Sequence, residues 1–405
     1  MTIAQGVNKQ IRFKRQTAKG TLAGSSAGQI LRRNTSSFEL SKDVYTTESE
    51  ITSKKQVLSS RHGVRSVNGS VDANLSPGTF SDIVSAILMR DFAAVSAITS
   101  LSITIAGSGP TYTVTRATGD FLAGGIKIGM VVRLTAGTFN ASNLNKNLLV
   151  TAVTATVLTV LVLNGSTLVA EGPIASATVT VPGKVTYVPD TGHTNVYYTV
   201  EEWYPDAAVS ERNSDVKFTK ADFSLPGSGN AGIKLSAVGL DQAKDTTAYF
   251  TSPTAETSTG TVVAASGALL VNGTAVAVVT DLSISLDNKG AVADGVVGTN
   301  VRPDVFTGKV SVSGSFTAYF EGGAIPDLYL NETQTSIVSA LAAASDANAD
   351  FMTFVMSAVK LNSSSPDDGE TGLKRTYNFQ AIYNSAGGAA LATQATTIQI
   401  QDSAA

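Results

Sequence analysis

Histidine is the residue type most often used for proton transfer and metal binding, and this chain has two, His62 and His193. Neither has a carboxylate or a second ligand in the arrangement that a metal centre or a catalytic base requires. The sequence therefore predicts no metal site and no catalytic histidine.

A glycine-rich segment at residues 227–232 matches the dinucleotide-binding fingerprint G-x-G-x-x-G letter for letter. That motif binds phosphate only where it lies between a strand and the N-terminus of a helix. Residues 233–238 have the composition of a strand instead, so the segment is predicted to be a hairpin turn.

Two acidic clusters, Glu201-Glu202 and residues 367–370, have the residue types of paired acids or calcium ligands. The first lies in a strand-like run, and the second lacks the alternating oxygen ligands of a calcium loop. Both are predicted to be solvated, on a strand edge and in a loop. The chain has no cysteine, which excludes disulfides and thiolate chemistry and fits folding in a reducing cytoplasm. We expect no cofactor and no enzymatic activity.

Composition points to contacts with other subunits. Charged residues make up 15% of the chain and mean hydropathy is +0.13, whereas soluble proteins typically have roughly 25% charged residues. No stretch approaches the roughly 20 apolar residues that a membrane-spanning helix needs, so no membrane partner is expected. Apolar surface on such a chain is most simply covered by a second copy of it.

The elements that would position any site are mainly β-strands. Period-two runs rich in β-branched residues occur at residues 113–115, 150–160, 311–319 and 398–400. Two helices are also predicted, at residues 80–95 and 335–345, from apolar residues on one helical face.

A weak internal duplication is visible in the order of these elements. A strand around Gly69 followed by a helix matches a strand around Gly314 followed by a helix. A later strand with Leu225 and its glycine turn matches a strand with Leu361 and its turn. The first copy is longer between these points, and residues 96–192 are interpreted as an inserted small β-domain that packs mostly on itself.

The predicted organisation has five parts. These are an N-terminal arm at 1–37, the first half of unit 1 at 38–95, the inserted small β-barrel or Ig-like domain at 96–192, the second half of unit 1 at 193–261, and unit 2 at 262–405.

These segments resemble a known family. Phe38-Glu39-Leu40, the polar stretch to Arg65, residues 67–83, residues 126–135 of the insertion and residues 378–383 are similar to the major tail tube proteins of long-tailed, siphovirus-type bacteriophages. The resemblance implies β-sandwich units, each with a flanking helix, in stacked rings of six units whose inner strands form one barrel. Two units per chain would need three chains, a trimeric pseudo-hexameric ring; a hexamer of chains is the alternative.

The resemblance also implies partners and contacts. The partners would be other copies of the chain, a tape measure protein and a tail terminator protein, with DNA only in transit, in a virion assembled in the bacterial cytoplasm. We expect the basic arm and the loop before the second strand to bridge stacked rings. The residues expected to make these contacts are Arg12, Lys14, Arg15, Lys19, Asp43, Glu48, Glu50, Lys54, Lys55, Arg61 and Arg65.

Three alternatives remain open from the sequence. The basic arm, with seven positive charges and no acid from Lys9 to Arg33, could hold nucleic-acid phosphate, although it lacks an aromatic stacking platform. The whole chain could be an extracellular β-rich adhesin or carbohydrate-binding module. It could also be another virion component, such as a capsid decoration protein.

Overall fold

The computed structural model describes residues 3–275, 278–367, 370 and 372–405, and within them the chain is mainly β, as predicted. These described ranges contain two α-helices, α1 (Ser81–Ile87) and α2 (Ala324–Leu330). The strands are β1 (Gln10–Arg15), β2 (Gln29–Ile30), β3 (Thr35–Thr46), β4 (Ser60–Asn74), β5 (Ile98–Ser108), β6 (Thr111–Arg116), β7 (Val131–Ala136), β8 (Leu148–Val153), β9 (Val157–Val162), β10 (Glu171–Thr180), β11 (Lys184–Tyr187), β12 (Tyr198–Tyr204), β13 (Val209–Pro226), β14 (Gly232–Gly239), β15 (Asp241–Asp245), β16 (Val263–Val271), β17 (Thr274–Ala275), β18 (Val279–Asp287), β19 (Ala291–Val292), β20 (Val305–Phe306), β21 (Ser311–Tyr319), β22 (Thr335–Ala342), β23 (Phe351–Pro366), β24 (Lys374–Ala381) and β25 (Gln399–Asp402).

Helix α1 is half as long as the sequence pattern predicts. It ends at Ile87 rather than near residue 95. Met89 adopts a left-handed conformation with φ 58°, and the N–H groups of Met89 and Arg90 turn back to carbonyls of the last helical turn. This C-terminal closure satisfies the free carbonyls and stops the helix although no glycine marks its end.

The second predicted helix, at residues 335–345, is wrong: this segment is strand β22, and α2 precedes it. Ile337 and Leu341 face the main core, whereas Val338 and Ala340 face a second apolar cluster on the other side of the strand. Because both faces are buried, the apolar run shows no alternation, and periodicity cannot separate such a strand from a helix.

One strand order occurs twice in a single continuous sheet. Strands β3, β4, β14 and β13 pair antiparallel in that order. Strands β18, β21, β24 and β23 pair antiparallel in the same manner. Strand β13 also pairs with β18, which joins the two sets side by side.

The strands that flank these sets follow the same rule. β12 and β15 pair with the first half of β13, as β22 and β25 pair with the first half of β23. β1 pairs with β12 as β16 pairs with β22. Residues of the predicted N-terminal arm therefore form β1, a strand of the fold.

The two faces of the continuous sheet differ in polarity. On β13, Ala221, Phe223 and Leu225 are at most 3% exposed and belong to the main core, whereas Lys220 and Ser224 point to the other side and are partly or fully exposed. One face thus carries the core and the other is polar, as expected for an antiparallel sheet covered on one side.

A second, closed sheet lies between α1 and β12 in the sequence. Strands β10, β5, β6, β9, β8 and β7 form a barrel in that order, filled by apolar side chains such as Ile103, Val114 and Leu148. The strand-like run at 150–160 is the β8–β9 hairpin. Strand β11 lies in the block predicted as the insertion but pairs with β25 outside the barrel.

Most of the barrel's buried apolar residues pack on one another, but part of its surface packs against the second strand set. Its Val131 and Leu149 are fully buried in one cluster with Val338 and Phe351 of β22 and β23. The Gln401 side chain also accepts a hydrogen bond from the Val131 N–H (2.8 Å) and donates one to its carbonyl (3.1 Å). The barrel is therefore docked on the outer side of the second strand set.

Candidate assembly surface

The polar face of the continuous sheet is rich in hydroxyl and amide groups because polar residues alternate with core residues along strands such as β18 and β21. Ser283 and Ser315 are hydrogen bonded across strands at 2.9 Å, as are Thr317 and Thr376. The residues on this face include Ser37, Glu39, Asn68, Ser70, Asp72, Lys220, Asp222, Ser224, Lys234, Ser236, Asp281, Ser285, Asp287, Ser313, Asn378 and Gln380.

Charges on this face are of both signs and partly neutralise each other. Lys220 forms an ion pair of 2.9 Å with Asp222, and Lys289 forms one of 2.9 Å with Asp287. Burial acts to raise the pKa of Asp287, but hydrogen bonds from Lys289 outweigh it and lower that pKa. Among the residues that the structure describes, this face therefore carries no block of positive charge of the kind that binds phosphate tightly.

The long β3–β4 hairpin projects from one end of the sheet. Its tip exposes apolar side chains, among them Ile51 (103% exposed), Tyr45 (58%), Val57 (55%) and Leu58 (47%). Val297, on the loop after β19, is equally exposed at 107%. Exposed apolar residues grouped in this way are typical of a contact surface.

A second apolar group lies at the opposite end of the sheet. β4 and β21 run from the hairpin end toward α1 and α2, respectively. Beside α2, Leu330 is 72%, Leu373 51% and Phe320 47% exposed. The sequence patterns do not reveal this group, since its members are scattered across a strand end, a helix end and a loop.

The four predicted contact residues of the arm are already engaged within the chain. Arg12 is 6% exposed and forms an ion pair with the Glu201 carboxylate (3.5 Å). Arg15 forms ion pairs with Asp82 and Asp91. Lys14 Nζ donates to the Ser26 carbonyl and Lys19 Nζ to that of Pro303, both at 2.7 Å.

The predicted contact residues of the hairpin divide into two groups. Arg65 forms an ion pair with Asp241 (2.7 Å), and Asp43 with Arg302 (3.5 Å), so these residues fix the base of the hairpin. The remaining residues are exposed and form no ion pair within the described part of the chain; they are Glu48, Glu50, Lys54, Lys55 and Arg61.

The acidic pair on β12 is not solvated, contrary to the prediction. Glu201 and Glu202 are at most 2% exposed, and they face opposite sides of their strand because side chains alternate. Glu201 contacts Arg12 and Glu202 contacts Lys9. Burial raises the pKa of Glu202, and the Lys9 ammonium opposes that shift. Each carboxylate therefore has its own cation, and the two cannot act as a catalytic pair.

The other residues considered for chemistry are placed as follows. Residues 227–231 connect β13 to β14, whose first residue is Gly232, which confirms a hairpin turn. His62 and His193 are exposed. Asp368 and Gly369 of the second acidic cluster lie outside the described residues. Within the described ranges, no three metal-ligating side chains converge, and no helix is long and apolar enough to cross a membrane.

Comparison with known proteins identifies the family. No curated protein matches the sequence significantly. The sequence profile of a family described as phage tail tube protein matches residues 6–381, nearly the whole chain. The match covers both strand sets and the barrel. The chain therefore belongs to the phage tail tube protein family and is a structural component of the phage tail.

Proposed function

We propose that three copies of this chain close into a ring of six like units, and that rings stack to form the tail tube of a long-tailed, siphovirus-type phage. The tube would be the conduit through which DNA leaves the virion. The observation that carries the proposal is the β13–β18 pairing, which joins two sheets of the same strand order edge to edge within one chain.

Duplication of one unit explains the repeated order, and matching irregularities support it. β13 has one extra residue, Thr219, opposite β14, and β23 has one extra residue, Asn362, opposite β24. Counted from these bulges, Gly69 corresponds to Gly314, as in the sequence alignment. Bulges are retained as designed features of a fold, so their agreement is unexpected for unrelated sheets.

The bulges also change one of the residue correspondences between the two copies that were inferred from the sequence. The residue before each bulge is Phe218 in β13 and Leu361 in β23. Leu361 thus corresponds to Phe218 and not to Leu225. The barrel, β5 to β10, then occupies the position of an insertion in unit 1 between α1 and β12.

The polar face of the sheet is suited to line the lumen. It offers hydroxyl and amide groups, and the acids named above outnumber the lysines on it, so DNA passing it would release few counterions and would not be held by the wall. The core face, with the barrel docked behind it, would form the wall and the outer surface. A tape measure protein during assembly and a tail terminator protein at the tube end would contact this tube.

Stacking would join the two apolar groups at opposite ends of the sheet. The hairpin tip with Ile51 and Leu58 would contact the α2 end of the next ring, near Phe320 and Leu330. Such a head-to-tail contact uses two different surfaces and leaves both free at the ends, so it produces an open filament. The exposed charges of the hairpin would add contacts at the same junction.

Electron microscopy of protein purified from the bacterial cytoplasm, together with mass measurement of single rings, tests this function. We expect tubes or annuli with six similar lobes and a ring mass three times the 41.7 kDa of one chain. Rings of six chains would contradict the proposal that each chain supplies two of the six units. Protein that remains monomeric under all conditions, while bound to a glycan or a capsid surface, would refute the tube.

A further inference from the structure

Two long strand segments, β3 and the second half of β23, each have an open edge within the described part of the isolated chain. Among the described residues, β3 pairs with β4 alone. The second half of β23, after Val359, pairs with β24 on one side and, within the described part of the chain, with nothing on the other. Unpaired edges of this length invite another strand.

We propose that the open edge of β3 pairs antiparallel with the second half of β23 in the neighbouring copy, in the register of the β13–β18 pairing. This inference rests on the proposed ring and names the strands and residues that close it. The internal β13–β18 pairing is the template, because it already joins the same two edges of consecutive units.

The register follows from the template. Inside the chain, Lys220 lies opposite Asp287 and Phe223 opposite Ile284. Ile284 lies opposite Gly314 as Phe38 lies opposite Gly69, so Phe38 takes the place of Ile284. With the bulges as reference, Ser363 replaces Lys220. The predicted pairs between copies are Ser41 with Ser363, Leu40 with Ser364, Glu39 with Ser365 and Phe38 with Pro366.

The backbone is in the correct phase for this register. Lys9 Nζ donates to the Ser36 carbonyl (3.1 Å), so the polar groups of Ser36, and by alternation those of Phe38 and Leu40, point to the open side of β3. On β23, the Asp367 N–H bonds to β24 (2.9 Å). By the same alternation, the Ser364 N–H points to the open side. Ser364 and Leu40 would then exchange both hydrogen bonds.

Proline at residue 366 is compatible with this edge and limits what can pair there. A proline has no N–H to donate, so it is tolerated in edge strands and weakens indiscriminate pairing. The Phe38 N–H can still donate to the Pro366 carbonyl. The Phe38 ring, 6% exposed in the free chain, would cover the proline on the core side of the joint.

Disulfide trapping in the assembled tube tests the register, and the absence of native cysteine removes any background. Ser41 and Ser363 would form a non-hydrogen-bonded pair with Cα atoms about 4.5 Å apart, which suits a disulfide. In the double variant S41C/S363C, oxidised tubes should yield covalent dimers and trimers of the chain on a denaturing gel.

Two matched controls accompany it. S41C/S365C is off register by two residues on the same face, where the side chains lie about 7–8 Å apart, and we expect about tenfold less cross-linking. K220C/D287C is the same type of pair inside one chain and should form an intramolecular disulfide. Its formation would show that the oxidant reaches cysteines on this face of the sheet.

The outcomes separate the register from the function. Tubes in which S41C/S363C stays monomeric, or in which S41C/S365C cross-links better, would overturn the register and leave the tube intact. Absence of tubes from the unmodified chain would instead contradict the proposed function. Tubes can also be diluted into free subunits before oxidation. If this abolishes the cross-linking of S41C/S363C, the result supports pairing between copies.

Discussion

At the scale of single residues, buried charges hold distant segments of the chain in fixed positions. Lys127 is 3% exposed, and its ammonium donates to the carbonyls of Gly388 (2.6 Å), Ala389 and Leu391 (2.7 Å). Burial lowers the pKa of Lys127. The three carbonyls offset the cost of burying this charge, so the residue ties the barrel to the loop before β25.

Replacing this lysine should loosen that connection. In Lys127→Met the three carbonyls lose their donor, and unsatisfied buried groups cost about 1–3 kcal/mol. We expect a loss of that size in the free energy of unfolding, measured by urea denaturation. Lys146→Met is the matched control, because Lys146 is partly exposed and donates to one carbonyl, that of Thr167; its effect should stay within about 0.5 kcal/mol. Equal effects of the two substitutions would contradict the role of Lys127.

Asp402 is a buried acid that links β25 to the start of α1. Its carboxylate accepts hydrogen bonds from the Gly78 N–H (2.8 Å), the Ala404 N–H (2.9 Å) and the Ser81 hydroxyl. Burial nevertheless raises the pKa of Asp402 above its ordinary 3.8. The folded chain therefore binds this proton more strongly than the unfolded chain does.

The pH dependence follows from the sign of that shift. Between pH 3.8 and the higher folded pKa, the folded state holds more protons, so the contribution of Asp402 to stability increases as pH falls. The difference in unfolding free energy between wild type and Asp402→Asn should shift in favour of wild type between pH 7 and pH 4. Asp206→Asn serves as a control, since the pKa of Asp206 is lowered by hydrogen bonds from Asn8 and Gln5 and the shift should be opposite. A pH-independent difference for Asp402→Asn would refute the assignment.

Residue types alone predicted only in part which of the candidate contact residues are exposed. The exposed charges of the hairpin tip, such as Lys54 and Lys55, follow from a polar run between two strands. The burial of Arg12 does not, because it depends on Glu201, a partner far away in the sequence. The charges within a short segment of sequence cannot show whether an acid elsewhere in the chain will pair with each cation.

At the scale of elements, alternation predicts a strand well when one face is polar. Ser311–Tyr319 has serine or threonine at alternate positions, and its predicted bounds are those of β21. β22 was predicted as a helix because both its faces are buried, one in the main core and one against the barrel. The missing information is the barrel itself, which covers β22 only in the tertiary structure.

Removal of the barrel is therefore predicted to harm the fold. Ala93 and Val185 exchange both backbone hydrogen bonds at 2.9 Å, so residues 95–183 can be replaced by a short glycine linker without stretching the chain. The deletion would expose Val338, Phe351 and Val355. Each such side chain contributes about 1.5–3 kcal/mol when buried, so we expect a lower Tm and aggregation.

A companion variant keeps that prediction testable. The same deletion with Val338→Thr and Val355→Thr should recover soluble protein, because polar groups then occupy the uncovered strand surface. Soluble tubes with unchanged Tm from the simple deletion would show that the barrel is not needed to cover β22 and β23.

At the scale of the whole molecule, the two ends of the sheet differ and determine how copies can add. One end has the projecting hairpin, and the other has α2 with Phe320 and Leu330 exposed. Lateral closure through strand edges and axial addition through apolar ends use different residues. The two steps of assembly should therefore be separable by substitution.

The double variant I51S/L58S should separate them. Both side chains are exposed in the free chain, at 103% and 47%, so their loss should leave the fold and the ring intact. We expect annuli in place of long tubes by electron microscopy, and a critical concentration for polymerisation raised about tenfold or more if roughly 1.4 kcal/mol of apolar contact is lost per junction. Val169→Ser, at a similarly exposed (43%) position beyond β9, is the control and should polymerise normally.

Salt distinguishes this apolar junction from one held by the hairpin charges. Screening weakens contacts between exposed charges, with a Debye length of about 10 Å at 0.1 M and about 3 Å at 1 M salt, whereas apolar burial is not weakened in this way. If apolar contacts dominate, wild-type tubes should persist at 1 M NaCl and K54Q/K55Q should behave as wild type. Tubes that dissociate into rings at high salt, together with normal polymerisation of I51S/L58S, would assign stacking to the charged residues of the hairpin instead.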